Sequence, residues 1–308
     1  MSFINYTIQS SDSLKLVCYK WEVENPKFAV QILHGMNEHM GRYDEFARFL
    51  TKNGIVVYGE DHRGFGKTAN GVENIGHVSD KDGMNKIVED TVLFHKHIKS
   101  ENPNLPVVLL GHSLGSFLAR MISVKYLEIA DLYIFTGSGG DTGVKGRIGL
   151  LLASTLRLFG SEKRREFLNK VLFQEFNKSF KPAKTAFDSL TRDEKIVKKY
   201  MNDPFCTQTP SVQFFYDMAN ISFDVNKNKN IEKTDFEKPV LFVSGSMCPV
   251  GENSKGIKKV ESIYKKIGVK DVQLLLYKDA RHEILNETNR IEVYQDILSW
   301  TLSKLKIN

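Results

Sequence analysis

The sequence predicts an α/β protein: a mostly parallel sheet with helices on both faces, interrupted by a helical insertion. Three observations carry this. Short apolar runs alternate with segments of helical spacing, the pattern of successive strand–helix units. One such run, residues 107–110, leads directly into Gly111-His-Ser-Leu-Gly115, which reads as a sharp strand-to-helix turn with a serine at its apex. The alternation stops after Gly139 and resumes only near Glu237.

The elements follow in order. Residues 3–9 and 14–21 alternate in polarity like two paired antiparallel strands. Apolar runs at 28–33 and 55–59 read as strands. Between them, 43–52 has helical spacing through Tyr43, Phe46, Ala47 and Leu50. A helix is expected over 83–100, where Ile87, Val88, Val92 and His95 step by three or four. Then come the strand 107–110, a helix from 114 to about 127 and a strand at 132–136. After the break, strands at 240–244 and 272–277 alternate with helices at 252–267 and 289–304. This organisation makes 1–139 and 237–308 the two parts of one core, with 140–236 a helical cap inserted between them. Within the cap, 149–159 reads first as core packing and second as a lipid groove, and the Asn-rich 226–230 reads as a flexible loop.

Composition narrows the function classes. With 41% hydrophobic and 26% charged residues, the 308-residue chain falls among ordinary soluble globular proteins. Met1 to Gln9 has neither a basic start nor an apolar core, and no apolar run approaches the roughly 20 residues of a membrane span. No secretory leader is expected. Three scattered cysteines form neither a disulfide framework nor a zinc site, which fits a reducing, cytoplasmic setting. The net charge is +6, and residues 141–235 hold 17 Lys and Arg against 12 Asp and Glu. No nucleic-acid motif accompanies this excess. It reads either as a basic face for anionic lipid or as ordinary solvated helix surface.

Several motifs fail on inspection. Gly66-Lys-Thr68 resembles the end of a phosphate loop, but Asp61 stands where that loop needs glycine. His95 and His97 are two apart on a helix and face different ways, so they do not form a metal site. No metal or organic cofactor is expected.

The Gly111–Gly115 turn makes Ser113 the candidate nucleophile, or else simply an exposed serine on a tight turn. A serine hydroxyl is weak at neutral pH and needs an adjacent base, itself oriented by a third group. His282 fits the base, because it follows the strand at 272–277 and precedes the last helix. An oxyanion hole needs two backbone N–H groups. Leu114, directly after the serine, and Met36, in the loop His34-Gly-Met-Asn-Glu-His, are placed to supply them, with Gly35 allowing close approach.

The ordered set His34-Gly-Met-Asn-Glu-His-Met-Gly-Arg-Tyr43, Asp61-His-Arg-Gly-Phe-Gly66, Gly111-His-Ser-Leu-Gly115, Cys248-Pro-Val-Gly251 and Arg281-His-Glu283 resembles the monoacylglycerol lipase and lysophospholipase branch of the α/β-hydrolases. That branch shares its domain type with the S33 serine aminopeptidases. The resemblance spans nearly the whole core and implies an α/β-hydrolase fold. It implies cleavage of carboxylic esters of small lipid-like substrates through an acyl-enzyme on Ser113, with transient membrane contact through the cap. The cap's positive balance suits a phosphate-bearing head group. An aminopeptidase would instead need cap carboxylates for a substrate amino terminus, and Glu175, Asp188 and Asp217 are available.

Two positions depart from the family. Asn37 stands where relatives often carry a small residue. More seriously, Cys248 occupies the place of the triad aspartate. Removing that charge from a serine-protease triad costs about four orders of magnitude. Position 248 therefore reads as marking a weakened enzyme, as an acid moved to Asp141 after the strand 132–136, or as a Cys248 that ionises beside His282. A non-catalytic scaffold is the fourth reading.

Overall fold

The computed structural model describes residues 3–307. In chain order its strands and helices are β1 (Phe3–Gln9), β2 (Lys15–Trp21), β3 (Ala29–Leu33), α1 (Asp44–Lys52), β4 (Val56–Glu60), α2 (Gly83–Glu101), β5 (Val107–His112), α3 (Leu114–Lys125) and β6 (Leu132–Thr136). The helices α4 (Gly143–Arg157), α5 (Glu166–Phe176), α6 (Glu194–Asn202), α7 (Val212–Asp224) and α8 (Asn228–Ile231) follow. The chain closes with β7 (Val240–Gly245), α9 (Lys255–Ile267), β8 (Val272–Tyr277) and α10 (Arg290–Leu305).

The eight strands form one sheet in the order β1-β2-β4-β3-β5-β6-β7-β8. β1 and β2 pair antiparallel, as does β2 with β4, and every other pairing is parallel. The buried strands β3, β5, β6 and β7 are apolar on both faces because both faces are covered. One face packs on α2, α3 and α9, with Ile87, Leu118 and Val260 in its core. The other packs on α1 and α10 through Phe46, Leu50, Val293 and Ile297.

Parallel register does the work of site assembly. Leu33 lies opposite Gly111, His112 opposite Thr136, Thr136 opposite Val243, and Gly245 opposite Tyr277. The carboxyl ends of β3, β5, β6, β7 and β8 therefore finish along one edge of the sheet. In open α/β sheets that edge is where ligands bind.

The five helices between β6 and β7 do not behave alike. α7 packs into the core beside α2 and α3, burying Phe214 and Ile221. In α4 Ala153 is the single buried residue. Leu151 (69% exposed), Leu158 (81%) and Phe159 (63%) are open to solvent, so the expectation that 149–159 is core packing is overturned. The Asn-rich 226–230 is also corrected. It holds the helical turn α8, and the Asn226 amide bonds the Gly139 and Ser222 carbonyls. Helix α9 starts three residues later than expected, because Glu252, Asn253 and Ser254 all have positive φ. No helix among the described residues is long and apolar enough to cross a membrane.

Candidate active site

Ser113 sits at the apex of the β5–α3 turn with φ 52° and ψ −117°, outside the regions an L-residue favours. The turn closes this tightly because of its glycines. A methyl on Gly111 would lie 2.2 Å from the Gly115 carbonyl oxygen, and one on Gly115 would lie 2.1 Å from that of Leu33. The strain lifts Ser113 off the sheet edge, where it is partly exposed.

His282 lies in the loop after β8, and its Nε2 is 2.9 Å from Ser113 Oγ. Its Nδ1 is 3.2 Å from Cys248 Sγ, in the loop after β7. The three side chains thus form one chain of contacts across 169 residues of sequence. The base loop is held from the insertion, since Ser189 and Leu190 carbonyls accept from the His282 and Glu283 N–H groups.

The charge distribution is unusual. Cys248 is fully buried, and burial pushes its thiol up, against the opposite pull of the Gly251 and Val250 N–H groups and the Ser244 hydroxyl. It is a neutral thiol at pH 7, and the reading in which it ionises beside His282 is not supported. Burial pushes His282 down to about 3, helped by the neighbouring His112 and opposed by Glu283 and Glu38. A thiol also fixes the imidazole poorly. For Nε2 to accept the serine proton, the ring proton must sit on Nδ1 and face the sulfur. A carboxylate only accepts there, whereas S–H can donate to Nδ1 and leave the wrong tautomer facing Ser113.

Asp141 does not replace the missing carboxylate. It is exposed, its Oδ1 accepts from the Gly143 N–H at 2.7 Å, and its other oxygen is 3.7 Å from Arg147. The alternative acid is thereby corrected: the structure turns it toward its own helix terminus, and Nδ1 of His282 faces Cys248 instead.

Leu114 directly follows the serine, and Met36 lies in the loop that passes beside it. Leu114 opens α3, and Met36 follows Gly35, where a methyl would lie 3.1 Å from Ser113 Cβ. Asn37 adopts φ 53° and donates from Nδ2 to the Gln208 carbonyl at 2.8 Å, tying this loop to the insertion. Asp61 accepts from the Met40 and Lys67 N–H groups and is structural.

The candidate carboxylates of a peptidase are already engaged. Glu175 pairs with Lys145 at 2.6 Å. Asp188 caps the Lys184 and Thr185 N–H groups, and Asp217 accepts from Gln213 and the Gly83 N–H.

A buried ionic cluster went unassigned in the sequence. Arg42 bonds both oxygens of Glu283 at 2.6 Å and Glu38 Oε2 at 2.9 Å. Its guanidinium lies 4.9 Å above the Tyr200 ring. Glu38 Oε1 accepts from the Gly35 N–H at 2.5 Å and from the Tyr43 hydroxyl at 2.8 Å. The i,i+4 spacing of Glu38 and Arg42 was a legible signal. The pairing with Glu283, 241 residues away, was not.

A mostly parallel sheet flanked by helices, with a serine on a strained elbow and a histidine at the last loop, defines an α/β-hydrolase. The chain belongs to the serine aminopeptidase, S33 family, whose profile matches residues 24–289. It is 26% identical to a monoglyceride lipase homolog of monkeypox virus over 96% of this chain and 97% of that one. Human monoglyceride lipase is 27% identical over 94% and 88%. A thermostable carboxyl esterase from Bacillus coagulans, solved with glycerol, superimposes with a TM-score of 0.91 at 27% identity, covering 98% of this chain and 99% of that one.

Proposed function

We propose that the protein is a serine hydrolase that cleaves carboxylic esters of monoacylglycerol- or lysophospholipid-like substrates. The observation that carries this reading is the 2.9 Å contact between Ser113 Oγ and His282 Nε2 at the carboxyl edge of the sheet. Its relatives' names as lipases and esterases support it. Ser113 Oγ attacks the acyl carbonyl while His282 Nε2 takes its proton. The N–H groups of Met36 and Leu114 hold the developing oxyanion. His282 returns the proton to the leaving alcohol, and water then releases the acyl group from Ser113 by the same route in reverse order. Cys248 lies behind the base without the charge a triad acid provides, so turnover is slow.

Residues 140–236 act as a cap over this edge. The exposed apolar residues of α4 and α5, with Lys145, Arg147 and Lys170 among them, suit transient contact with an anionic lipid surface. The buried free cysteines fit a cytoplasmic setting.

The test compares p-nitrophenyl butyrate and a monoacylglycerol in mixed micelles with alanyl-p-nitroanilide, for the wild type and Ser113→Ala. Ester turnover that requires Ser113, without anilide cleavage, supports the proposal. Anilide cleavage that requires Ser113 makes it a peptidase. No Ser113-dependent turnover of any of the three makes it a binding scaffold, the alternative that Cys248 raises.

A further inference from the structure

His282 becomes a cation at each proton transfer, and the position that normally answers that charge holds a neutral thiol. We propose that the buried Glu38–Arg42–Glu283 cluster, which carries one net negative charge, supplies the counter-charge for the His282 imidazolium in place of a triad carboxylate. The inference rests on the reading of Ser113 and His282 given above.

The geometry supports it at each point. Glu283 is the residue after His282, so one end of the cluster is covalently adjacent to the base. The other end reaches the nucleophile: a methyl on Gly35 would lie 2.7 Å from Glu38 Oε1 and 3.1 Å from Ser113 Cβ, so the carboxylate and the serine flank the same Cα. Both glutamates pair with the one guanidinium, Arg42. Arg42 donates to both oxygens of Glu283. Glu38 receives the Gly35 N–H and the Tyr43 hydroxyl on one oxygen and Arg42 on the other. Burial pushes the Glu283 carboxyl up, and the Arg42 charge with its hydrogen bonds more than reverses it. Two carboxylates against one guanidinium leave a single negative charge that no other group in the cluster cancels.

The cluster is sealed, with 3–4% of Glu38 and Glu283 exposed. Charges in such a setting act at longer range than on a surface. The groups touching the His282 ring are Ser113 and His112 from the β5 elbow and Cys248 from the loop after β7, while Glu38, Arg42 and Glu283 act on it through their charges. Among these, the glutamates alone are negative. His112 is held neutral, since burial pushes it down to about 4. Glu38 and Glu283 act on the reaction through His282 and are positioning residues.

The experiment is a double-mutant cycle between Glu38→Gln and Cys248→Asp, read as kcat/KM for p-nitrophenyl butyrate across pH. If the cluster substitutes for the missing acid, Glu38→Gln lowers kcat/KM by about tenfold or more with Cys248 and by less than about threefold once position 248 carries a carboxylate. In the Cys248 protein it also moves the acidic limb to lower pH, because His282 loses a neighbour that favours its cation. Equal losses in both backgrounds with an unmoved limb would mean the cluster is only structural. That result would overturn this inference and leave the Ser113–His282 reading intact. No esterase activity in any folded variant, Cys248→Asp included, would overturn both. Glu283→Gln repeats the cycle if Glu38→Gln fails to give the wild-type circular dichroism spectrum.

Discussion

Cys248→Asp tests the electrostatics of the site directly. The thiol sulfur lies 3.2 Å from His282 Nδ1, so a carboxylate there forms a direct pair with the imidazolium. At that separation and an effective dielectric of about 20, the attraction is roughly 5 kcal/mol. Burying the carboxylate costs part of this. The site offsets part of that cost, because the N–H groups of Gly251 and Val250 and the Ser244 hydroxyl favour an anion at this position. A net gain of roughly 1.5–4 kcal/mol corresponds to about a ten- to a thousandfold rise in kcat. The carboxylate also fixes the ring proton on Nδ1, which frees Nε2 to accept from Ser113. The assay is ester hydrolysis by wild type, Cys248→Asp and the uncharged Cys248→Asn. We expect a rise in Cys248→Asp only, with the acidic limb of kcat/KM shifted upward from its low position. Equal rates in all three folded proteins would refute the argument. Loss of activity in Asp141→Asn with a neutral Cys248→Asp would place the acid at 141.

Other outcomes follow from the same contacts. Gly115→Ala drives a methyl to 2.1 Å from the Leu33 carbonyl oxygen, and overpacking against backbone should cost about 3 kcal/mol or more; an unchanged thermal midpoint would contradict the elbow geometry. His62, His95 and His112 are each pushed down to about 4, and His282 to about 3, by burial. Because these folded values lie below the unfolded one, their stability is complete above about pH 6.5 and is lost as pH falls toward 4, by roughly 3 kcal/mol per group. Glu60 and Asp90, pushed up by burial to about 7 and about 6, act in the opposite sense, as do Asp61 and Asp217, but His34, also pushed well down by burial, leaves the histidines in the majority. The urea midpoint should therefore fall between pH 6.5 and 4, and a flat midpoint across that range would count against it. Asp141→Asn, at an exposed carboxylate bonded to its own helix terminus, should leave ester hydrolysis unchanged.

The sheet was legible because its strands are buried on both faces and read as unbroken apolar runs between helical spacings. The elbow was legible for a different reason: few residues other than glycine fit beside Ser113, so the constraint appears as composition. The insertion was harder to read. An apolar face such as that of α4 has the same spacing whether it meets a core or solvent, and the sequence does not say what covers it. Helix starts were misplaced where residues other than glycine adopt positive φ, as at Glu252–Ser254, since the backbone there follows tertiary packing. The place of Cys248 behind His282 was implied by the family resemblance, but the thiol's protonation was not legible, because it depends on how dry the site is. The Arg42–Glu283 pair is non-local and left no trace in spacing.

The most direct measurement is the site of covalent labelling by an alkyl fluorophosphonate, mapped by peptide mass spectrometry. The account predicts one adduct, on Ser113, formed slowly in the wild type, faster in Cys248→Asp and abolished in His282→Ala. An adduct on another residue, or labelling of Ser113 that is indifferent to His282, would contradict it.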